Sequence, residues 1–178
     1  DVFKGDRVKM NTFFEQVCTM DWNENQDAGY PLSQATEDRI GLFPEYETLI
    51  KIYYGRWEEM LGEAIVGSVQ ILKKLIDEPR FRVVALTNWS AETFPVALKR
   101  FDFLHWFEGI IVSGTEKTRK PFPEIYSSIL VSLSGFPIGM CPHSPVNKFG
   151  QGKPINDKRD PSVPPRMITG FGVMPARV

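Results

Sequence analysis

Two short apolar segments on either side of one amphipathic helix place the strongest constraint on the fold of this 178-residue chain. The segments are Val83-Val84-Ala85-Leu86 and Gly109-Ile110-Ile111-Val112-Ser113, and Phe94, Ala97, Leu98 and Phe101 recur between them at helical spacing. Strands without polar alternation are typical of parallel sheets that are covered on both faces. Because two such strands are joined through a helix, the sequence predicts a parallel βαβ unit and an α/β fold.

The chain divides into three predicted regions. Residues 1–64 are predicted to form a helical cap, with Phe13, Phe14 and Val17 on one apolar face and Leu49, Ile52, Tyr53, Trp57, Met60 and Leu61 on another. Residues 65–130 are predicted to form the α/β core, with further helices at residues 66–76 and after residues 121–123. Within the cap, residues 21–29 combine turn-forming composition with no strict period, so they are predicted to form a loop.

The third region, residues 131–178, differs from the rest in composition. It contains eight prolines and six glycines, shows no clear hydrophobic period, and carries six basic and two acidic residues. We expect a divergent Pro/Gly-rich tail that is disordered or out of frame with the preceding sequence.

Charge and cysteine content narrow the classes of function. The 21 basic and 22 acidic residues leave a net charge of -1, which gives no electrostatic reason to expect a nucleic acid or an anionic membrane as partner. Cys18 and Cys141 lie far apart with no His or Cys at ligand spacing, so neither a disulfide scaffold nor a zinc site is predicted.

No apolar run approaches the ~18 residues that span a bilayer, and the N-terminus lacks a signal-peptide core. We expect a cytoplasmic protein with a small-molecule substrate, and its oligomeric state stays open.

The loops that leave the carboxyl ends of parallel strands carry the ligand site in open α/β sheets. The first of these loops begins at Thr87-Asn88-Trp89-Ser90, and the second covers residues 114–117. The Thr87 hydroxyl and the Asn88 carboxamide are able to hold an anionic group such as a phosphoryl oxygen, with helix amides after Ser90 as further donors. The alternative is that Thr87 and Asn88 simply end the strand and Ser90 caps the following helix.

Lys120 is the candidate cation of this region. It lies at the start of a helix after the second strand, where a point charge neutralises a carboxylate or a phosphate. The alternative is a solvated loop lysine, which is also the interpretation for Lys117 and Arg119. Trp89 is a candidate ligand contact, although packing is the simpler expectation for the tryptophans, and His105 is expected to pack beside aromatic residues.

Asp157 is the candidate metal ligand. A carboxylate at the end of a strand suits Mg²⁺, which prefers oxygen ligands. The preceding Gly152-Lys153-Pro154 favours a turn instead, so both interpretations stay open.

Two segments resemble motifs of a known enzyme superfamily. Residues 86–95, LTNWSAETFP, and residues 112–126, VSGTEKTRKPFPEIY, resemble the second and third motifs of the haloacid dehalogenase (HAD) superfamily of hydrolases. The helical region with Asp21-Trp22-Asn23 and Phe43-Pro44-Glu45-Tyr46 resembles the cap of its phosphatase-like and 2-haloacid-dehalogenase-like branch. The resemblance covers about residues 7–130 and implies a three-layer Rossmann-like parallel sheet core with a helical cap that closes over the site.

The resemblance also implies a reaction and a role for each candidate residue. Hydrolysis would proceed through a covalent aspartyl intermediate, with Thr87 bonding the transferring group, Asn88 positioning it and Lys120 stabilising the nucleophile and the developing charge. Trp89 and Ser90 would contact the substrate. The expected reaction is Mg²⁺-dependent hydrolysis of a small phosphate ester, and residues 155–157 match the centre of the metal-binding fourth motif. The alternatives are a 2-haloacid dehalogenase, which needs no metal, and a noncatalytic anion-binding pseudoenzyme.

The family's nucleophile is an aspartate that ends an apolar strand before the cap. The sequence begins where the cap begins, and neither Asp1 nor Asp6 follows an apolar strand. We therefore expect this chain to lack the nucleophile, which would remove covalent catalysis.

Overall fold

The computed structural model describes residues 2–133, which are mostly helical and contain one small parallel sheet. The elements are α1 (Arg7–Thr12), α2 (Met20–Asp27), α3 (Leu32–Leu42), α4 (Glu47–Gly55), α5 (Trp57–Met60), α6 (Val66–Asp77), β1 (Val84–Thr87), α7 (Phe94–Arg100), β2 (Gly109–Val112), α8 (Ser113–Glu116) and α9 (Pro123–Leu133). A π-helical turn at Phe13–Val17 continues α1, and 3₁₀ turns lie at Pro44–Tyr46 and Asp102–Trp106. No helix in this part of the chain is both long and apolar enough to cross a bilayer. The predicted tail beyond residue 133, including Cys141 and Asp157, lies outside the described residues.

The parallel pairing of the two apolar segments is confirmed. β1 and β2 run parallel, with Val84 opposite Gly109 and Thr87 opposite Val112. The connection passes through α7, as the helical spacing predicted. β2 ends one residue earlier than expected because Ser113 already belongs to α8.

Apolar side chains cover both faces of this sheet. Val84, Leu86 and Ile111 pack with Ile125 and Ile129 of α9 on one side. A second cluster on the other side contains residues of α6, α7 and β2 and the residue before β1, namely Leu72, Phe94, Ala97, Val112 and Val83, with several aromatic residues around them. Burying each of these large side chains contributes roughly 1.5–3 kcal/mol to folding, so the sheet is held mainly by the helices on its two sides.

The cap has its own apolar cluster. Phe13 and Val17 are buried as predicted, together with Trp22, Ala35 and Ile50. Leu49 was predicted on the apolar face, but it is only half-buried, whereas the adjacent Ile50 is fully buried. The orientation of α4 therefore directs Ile50, rather than Leu49, into the centre of the cluster. The predicted apolar face at residues 49–61 is divided between α4 and α5, which meet at Arg56.

The prediction of a loop at residues 21–29 is wrong, because α2 occupies Met20–Asp27. Thr19 caps this helix by accepting a hydrogen bond from the Trp22 amide at 3.2 Å. Trp22 and Gln26, four residues apart, form its buried face. Since only one of these two residues is apolar, the segment shows no hydrophobic period. Gly29, with φ of +95°, follows the end of the helix.

His105 is also placed differently from the prediction. Its side chain is exposed rather than packed among aromatic residues, and its Nε2 atom lies 2.9 Å from the carbonyl oxygen of Leu98. The neighbouring Phe103, Leu104 and Phe107 are buried instead. The 3₁₀ turn at Asp102–Trp106 therefore directs its apolar residues inward and the imidazole toward solvent.

Candidate functional site

A pair of hydrogen bonds joins the loops that follow the two strands. The Asn88 amide nitrogen Nδ2 donates to the carbonyl oxygen of Lys120 at 3.1 Å, and Asn88 Oδ1 accepts from the Lys120 amide at 2.8 Å. Since Asn88 directly follows β1, this bridge fixes Lys120 beside the end of the sheet. The structure thus brings Lys120 to the strand end at Thr87 and Asn88, although it lies 32 residues after Asn88 in the sequence.

The Lys120 side chain lies against the end of β1. Its ammonium Nζ donates to the carbonyl oxygen of Leu86 at 3.1 Å. Burial lowers the pKa of this half-buried side chain below its usual value. Within residues 2–133 no carboxylate lies at ion-pair distance from Nζ, so two of its three N–H donors are available to an anionic ligand.

The Thr87 hydroxyl is similarly available. Its Oγ1 atom lies 3.5 Å from the carbonyl oxygen of Asn88, which is too long for a strong hydrogen bond. Thr87 is half-buried at the last position of β1. The Asn88 carboxamide, by contrast, is mostly used by the Lys120 backbone, which leaves one N–H of Nδ2 for a ligand.

Ser113 connects both strand-end loops to the cap. This fully buried hydroxyl donates to the carbonyl oxygen of Asp27 at 2.5 Å and accepts from the Trp89 amide at 2.8 Å. The adjacent Gly114 amide donates to the Trp89 carbonyl at 3.0 Å. A Cβ atom at Gly114 would lie 2.4 Å from the amide nitrogen of Ala91, so only glycine fits between these segments.

Asp27 is a site residue that the sequence pattern did not single out. Burial raises the pKa of its carboxyl to about 6, while a hydrogen bond from the Ser90 backbone and the nearby Arg119 guanidinium act in the opposite direction. A carboxyl group with this pKa exchanges protons near neutral pH. The sequence does contain one signal for Asp27, namely an acidic residue two positions before a glycine. An acidic residue close to a glycine is common in turns that have no function, so this signal does not identify a site.

A cavity of about 130 Å³ lies between the cap helices and the loop after β1. It is lined by Asn23, Asp27, Tyr54, Trp57, Met60, Leu61, Asn88, Trp89, Ser90 and Thr93. A cavity of about 150 Å³ is known to hold one benzene molecule, so this one suits a group of a few heavy atoms. Of the predicted residues, Asn88, Trp89 and Ser90 line it, whereas Thr87 and Lys120 are not among its lining residues. Asn88 connects the two sets, because its carboxamide is bonded to the Lys120 backbone.

The aromatic walls of this cavity are held in place by their own contacts. The rings of Trp57 and Trp89 meet edge to face at 5.9 Å, and Trp89 Nε1 donates to Thr93 Oγ1 at 3.0 Å. The Tyr54 hydroxyl donates to Asn23 Oδ1 at 3.0 Å. Trp89 therefore packs against its neighbours, as the simpler expectation has it, and it also lines the cavity. Its role as a ligand contact stays a prediction.

Arg119 and Ser90 differ from their predicted roles. Arg119 is not a solvated loop residue, because only 21% of its side chain is exposed and its guanidinium pairs with Glu24 at 2.7 Å. The Ser90 hydroxyl does not cap α7, which begins later, at Phe94; its Oγ accepts from the Glu92 amide at 3.2 Å within the intervening turn. The first residue of the helix thus lies four positions after Ser90 rather than directly after it.

Lys117, the other residue predicted to be a solvated loop lysine, is exposed as predicted.

The described residues do not assemble a magnesium site. Between residues 2 and 133, no three His, Cys, Asp or Glu side chains form a group able to hold a metal ion. Thr87, Asn88 and Lys120 include no carboxylate, and an ammonium group does not bind Mg²⁺. The candidate ligand Asp157 lies outside the described residues.

Comparisons with protein-family models, with curated proteins and with solved structures found no match to this chain. Function is therefore inferred from the geometry of the strand-end residues and of the cavity beside them.

Proposed function

We propose that this chain is a HAD-like hydrolase in which Thr87 and Lys120 bind the anionic group of a small substrate. The observation that carries the proposal is the Asn88 bridge, which holds Lys120 at the carboxyl end of β1. Polar groups from two adjacent parallel strands meet at this edge, which is where ligands bind in open α/β sheets. The proposal includes a three-layer Rossmann-like core, which the apolar clusters on both faces of the sheet support.

Each residue has a defined part in this proposal. The Thr87 hydroxyl donates to an oxygen of the bound anion, and the Lys120 ammonium neutralises the charge that develops there. Asn88 acts mainly as a positioning residue because its carboxamide is bonded to the Lys120 backbone. Trp89 and Ser90 line the adjacent cavity and would contact the rest of the substrate.

The covalent step needs a carboxylate nucleophile close to these groups. Neither β1, which ends at Thr87, nor β2, which ends at Val112, supplies an aspartate at its carboxyl end. The magnesium ion of a phosphatase would also need carboxylate ligands from outside residues 2–133. Binding of the anion, rather than turnover, is thus the part of the proposal that the described residues support.

A small phosphate ester is the substrate class we favour, because an ammonium and a hydroxyl suit a phosphoryl group. A 2-haloacid is the second candidate. The observation in its favour is the lining of the cavity, where Tyr54, Trp57, Met60 and Leu61 suit a small, partly apolar molecule.

Product release separates these candidates. The protein is incubated with phenyl phosphate, with and without Mg²⁺, and with 2-chloropropionate, and free phosphate and chloride are measured. Metal-dependent phosphate release that is lost in Thr87→Val supports the phosphatase, whereas metal-independent chloride release supports the dehalogenase. Phosphate binding without either product leaves a noncatalytic anion-binding domain, and absence of both turnover and binding contradicts the proposal.

A further inference from the structure

A second and larger cavity lies on a different side of α2. It has a volume of about 670 Å³ and is formed by α2, α3, the segment between them and Lys117. Asn23 and Asp27 line the first cavity, whereas Trp22 and Gln26 line this second one. Its volume lies within the range of roughly 300–1,000 Å³ that is typical of small-molecule sites.

Arg39 provides a cation on the wall of this cavity. Its guanidinium carbon lies 5.3 Å from the ring centre of Trp22 and 5.5 Å from that of Phe43, so two aromatic rings hold it in place. No carboxylate within residues 2–133 pairs with it, and its buried Nε has no hydrogen-bond acceptor there. A fixed guanidinium fork without an anionic partner is suited to binding an external carboxylate.

Gln26 adds an independent indication of a ligand. Its side chain is 1% exposed, and neither its amide nitrogen nor its amide oxygen has a hydrogen-bond partner among the described residues. Leaving both atoms unpaired opposes folding, and buried amides of this kind are rare in native proteins. The Gln26 amide therefore offers both a donor and an acceptor to a ligand in this cavity.

The charges around the cavity favour a single negative charge on the ligand. Lys117 contributes a second cation to the lining. The Asp38 carboxylate also lines the cavity, where it accepts from the Tyr30 hydroxyl at 2.5 Å and from Gln34 Nε2 at 2.8 Å. Arg39, Lys117 and Asp38 together give the lining one net positive charge, which a single negative charge neutralises, so a monoanionic carboxylate matches the cavity.

We propose that the cavity between α2 and α3 binds a small carboxylic acid with an apolar body. The carboxylate is held by the Arg39 guanidinium with the Gln26 amide beside it, and the apolar body lies against Trp22, Pro31, Ala35 and Leu42. This site is separate from Thr87 and Lys120, and it does not depend on the proposed hydrolase function.

Titration with benzoate tests the site, using calorimetry together with tryptophan fluorescence, to which Trp22 of the cavity contributes as one of four tryptophans. Benzoate is expected to bind the whole protein, and benzyl alcohol, which is neutral and similar in shape, at least tenfold more weakly. Arg39→Lys keeps the charge but loses the planar fork, so it is expected to weaken benzoate at least tenfold. Arg80→Lys is the matched control, since Arg80 also stacks on an aromatic ring but does not line the cavity. This variant is expected to bind benzoate with the same affinity as the unmodified protein.

Gln26→Met separates a binding role from a structural one. Methionine has nearly the same length and removes both unpaired amide atoms, so the variant is expected to melt at a higher temperature while binding benzoate several-fold more weakly. A lower melting temperature with unchanged affinity would assign Gln26 a structural role and overturn its part in the site. Equal binding of benzoate and benzyl alcohol, or unchanged affinity in Arg39→Lys, would overturn the proposal as a whole.

Discussion

Asp27 combines two roles at the end of α2. Its backbone carbonyl accepts a hydrogen bond from the Ser113 hydroxyl, which ties the cap to the end of β2, and the half-buried residue lines the cavity beside the loop after β1. Burial raises the pKa of this carboxyl from 3.8 to about 6. The folded protein therefore holds the proton of Asp27 more tightly than the unfolded chain does.

The shift in the Asp27 pKa predicts a particular pH dependence of stability. Because the folded-state pKa is the higher one, ionisation of Asp27 opposes folding, and this cost grows between about pH 4 and pH 6 and is constant above that range. Two pKa units correspond to about 3 kcal/mol. Asp27→Asn is thus expected to gain about 2–3 kcal/mol in free energy of unfolding, relative to the unmodified protein, at pH 7, and much less at pH 4.

Urea denaturation at both pH values measures this difference. Asp102→Asn is the control, because it removes a carboxylate from an exposed position. Its effect on the free energy of unfolding is expected to be small at both pH values. A loss of stability in Asp27→Asn at pH 7 would show that the carboxylate is stabilising and would contradict the account.

Asn88 permits a nearly isosteric test of the bridge to Lys120. Asn88→Asp keeps the acceptor for the Lys120 amide but places a second oxygen where Nδ2 now lies 3.1 Å from the Lys120 carbonyl. Loss of this hydrogen bond and repulsion between the two oxygens are expected to cost about 1–3 kcal/mol in free energy of unfolding, measured by urea denaturation. Unchanged stability would mean that the bridge does not hold the two loops together.

At the scale of elements, Gly114 and Gly41 form a contrasting pair. A methyl group at Gly114 of α8 would collide with the backbone of the loop after β1, whereas nothing lies within 4 Å of a Cβ atom at Gly41 of α3. Gly114→Ala is expected to cost about 1–3 kcal/mol, since the backbone of this loop must move. Gly41→Ala is expected to gain about 0.5–1 kcal/mol, because alanine is the better helix former.

Thermal unfolding followed by circular dichroism compares the two glycine variants. Equal effects would contradict the close packing of α8 against the loop after β1.

The elements differ in how well sequence predicts them, for physical reasons. β1, β2 and α7 were predictable because their apolar residues follow simple periods and the pairing of consecutive strands through a helix is restricted. α2 was not predictable from hydrophobic period, since its buried face consists of Trp22 and the polar Gln26. Its start is set by the Thr19 cap, a local signal that also occurs in turns.

The candidate site was only partly predictable. Thr87, Asn88 and Lys120 follow from the rule that strand ends carry ligands, and the structure brings them together. Asp27, Ser113 and the paired Arg119 depend on tertiary contacts between the cap and the strand-end loops, which no local pattern reveals. The catalytic role of these residues stays a prediction.

At the scale of the whole molecule, the cap and the sheet region are joined by polar contacts across their boundary. The Leu32 amide donates to Glu92 Oε1 at 2.8 Å, and Arg100 Nη1 donates to the carbonyl oxygen of Leu61 at 2.8 Å. The Arg119–Glu24 ion pair adds a third connection at 2.7 Å. We expect these contacts to make the two apolar clusters unfold together.

Truncation of one buried residue in each cluster tests this cooperativity. Ile50→Ala in the cap and Leu72→Ala in the sheet region are each expected to cost about 2–5 kcal/mol and to shift one common transition. Urea unfolding followed by both tryptophan fluorescence and circular dichroism measures the number of transitions. Two separate transitions, each moved by one variant only, would show that the clusters fold independently.

Binding of inorganic phosphate to the unmodified protein, Lys120→Met and Lys117→Met tests the central claim most directly. Both variants remove one lysine from the segment after β2, but only Lys120 lies at the end of β1, whereas Lys117 is exposed and lines the second cavity. By calorimetry, the unmodified protein and Lys117→Met are expected to bind phosphate equally, and Lys120→Met at least tenfold more weakly. Equal binding by all three proteins, or a loss confined to Lys117→Met, would contradict an anion site at the carboxyl end of the sheet.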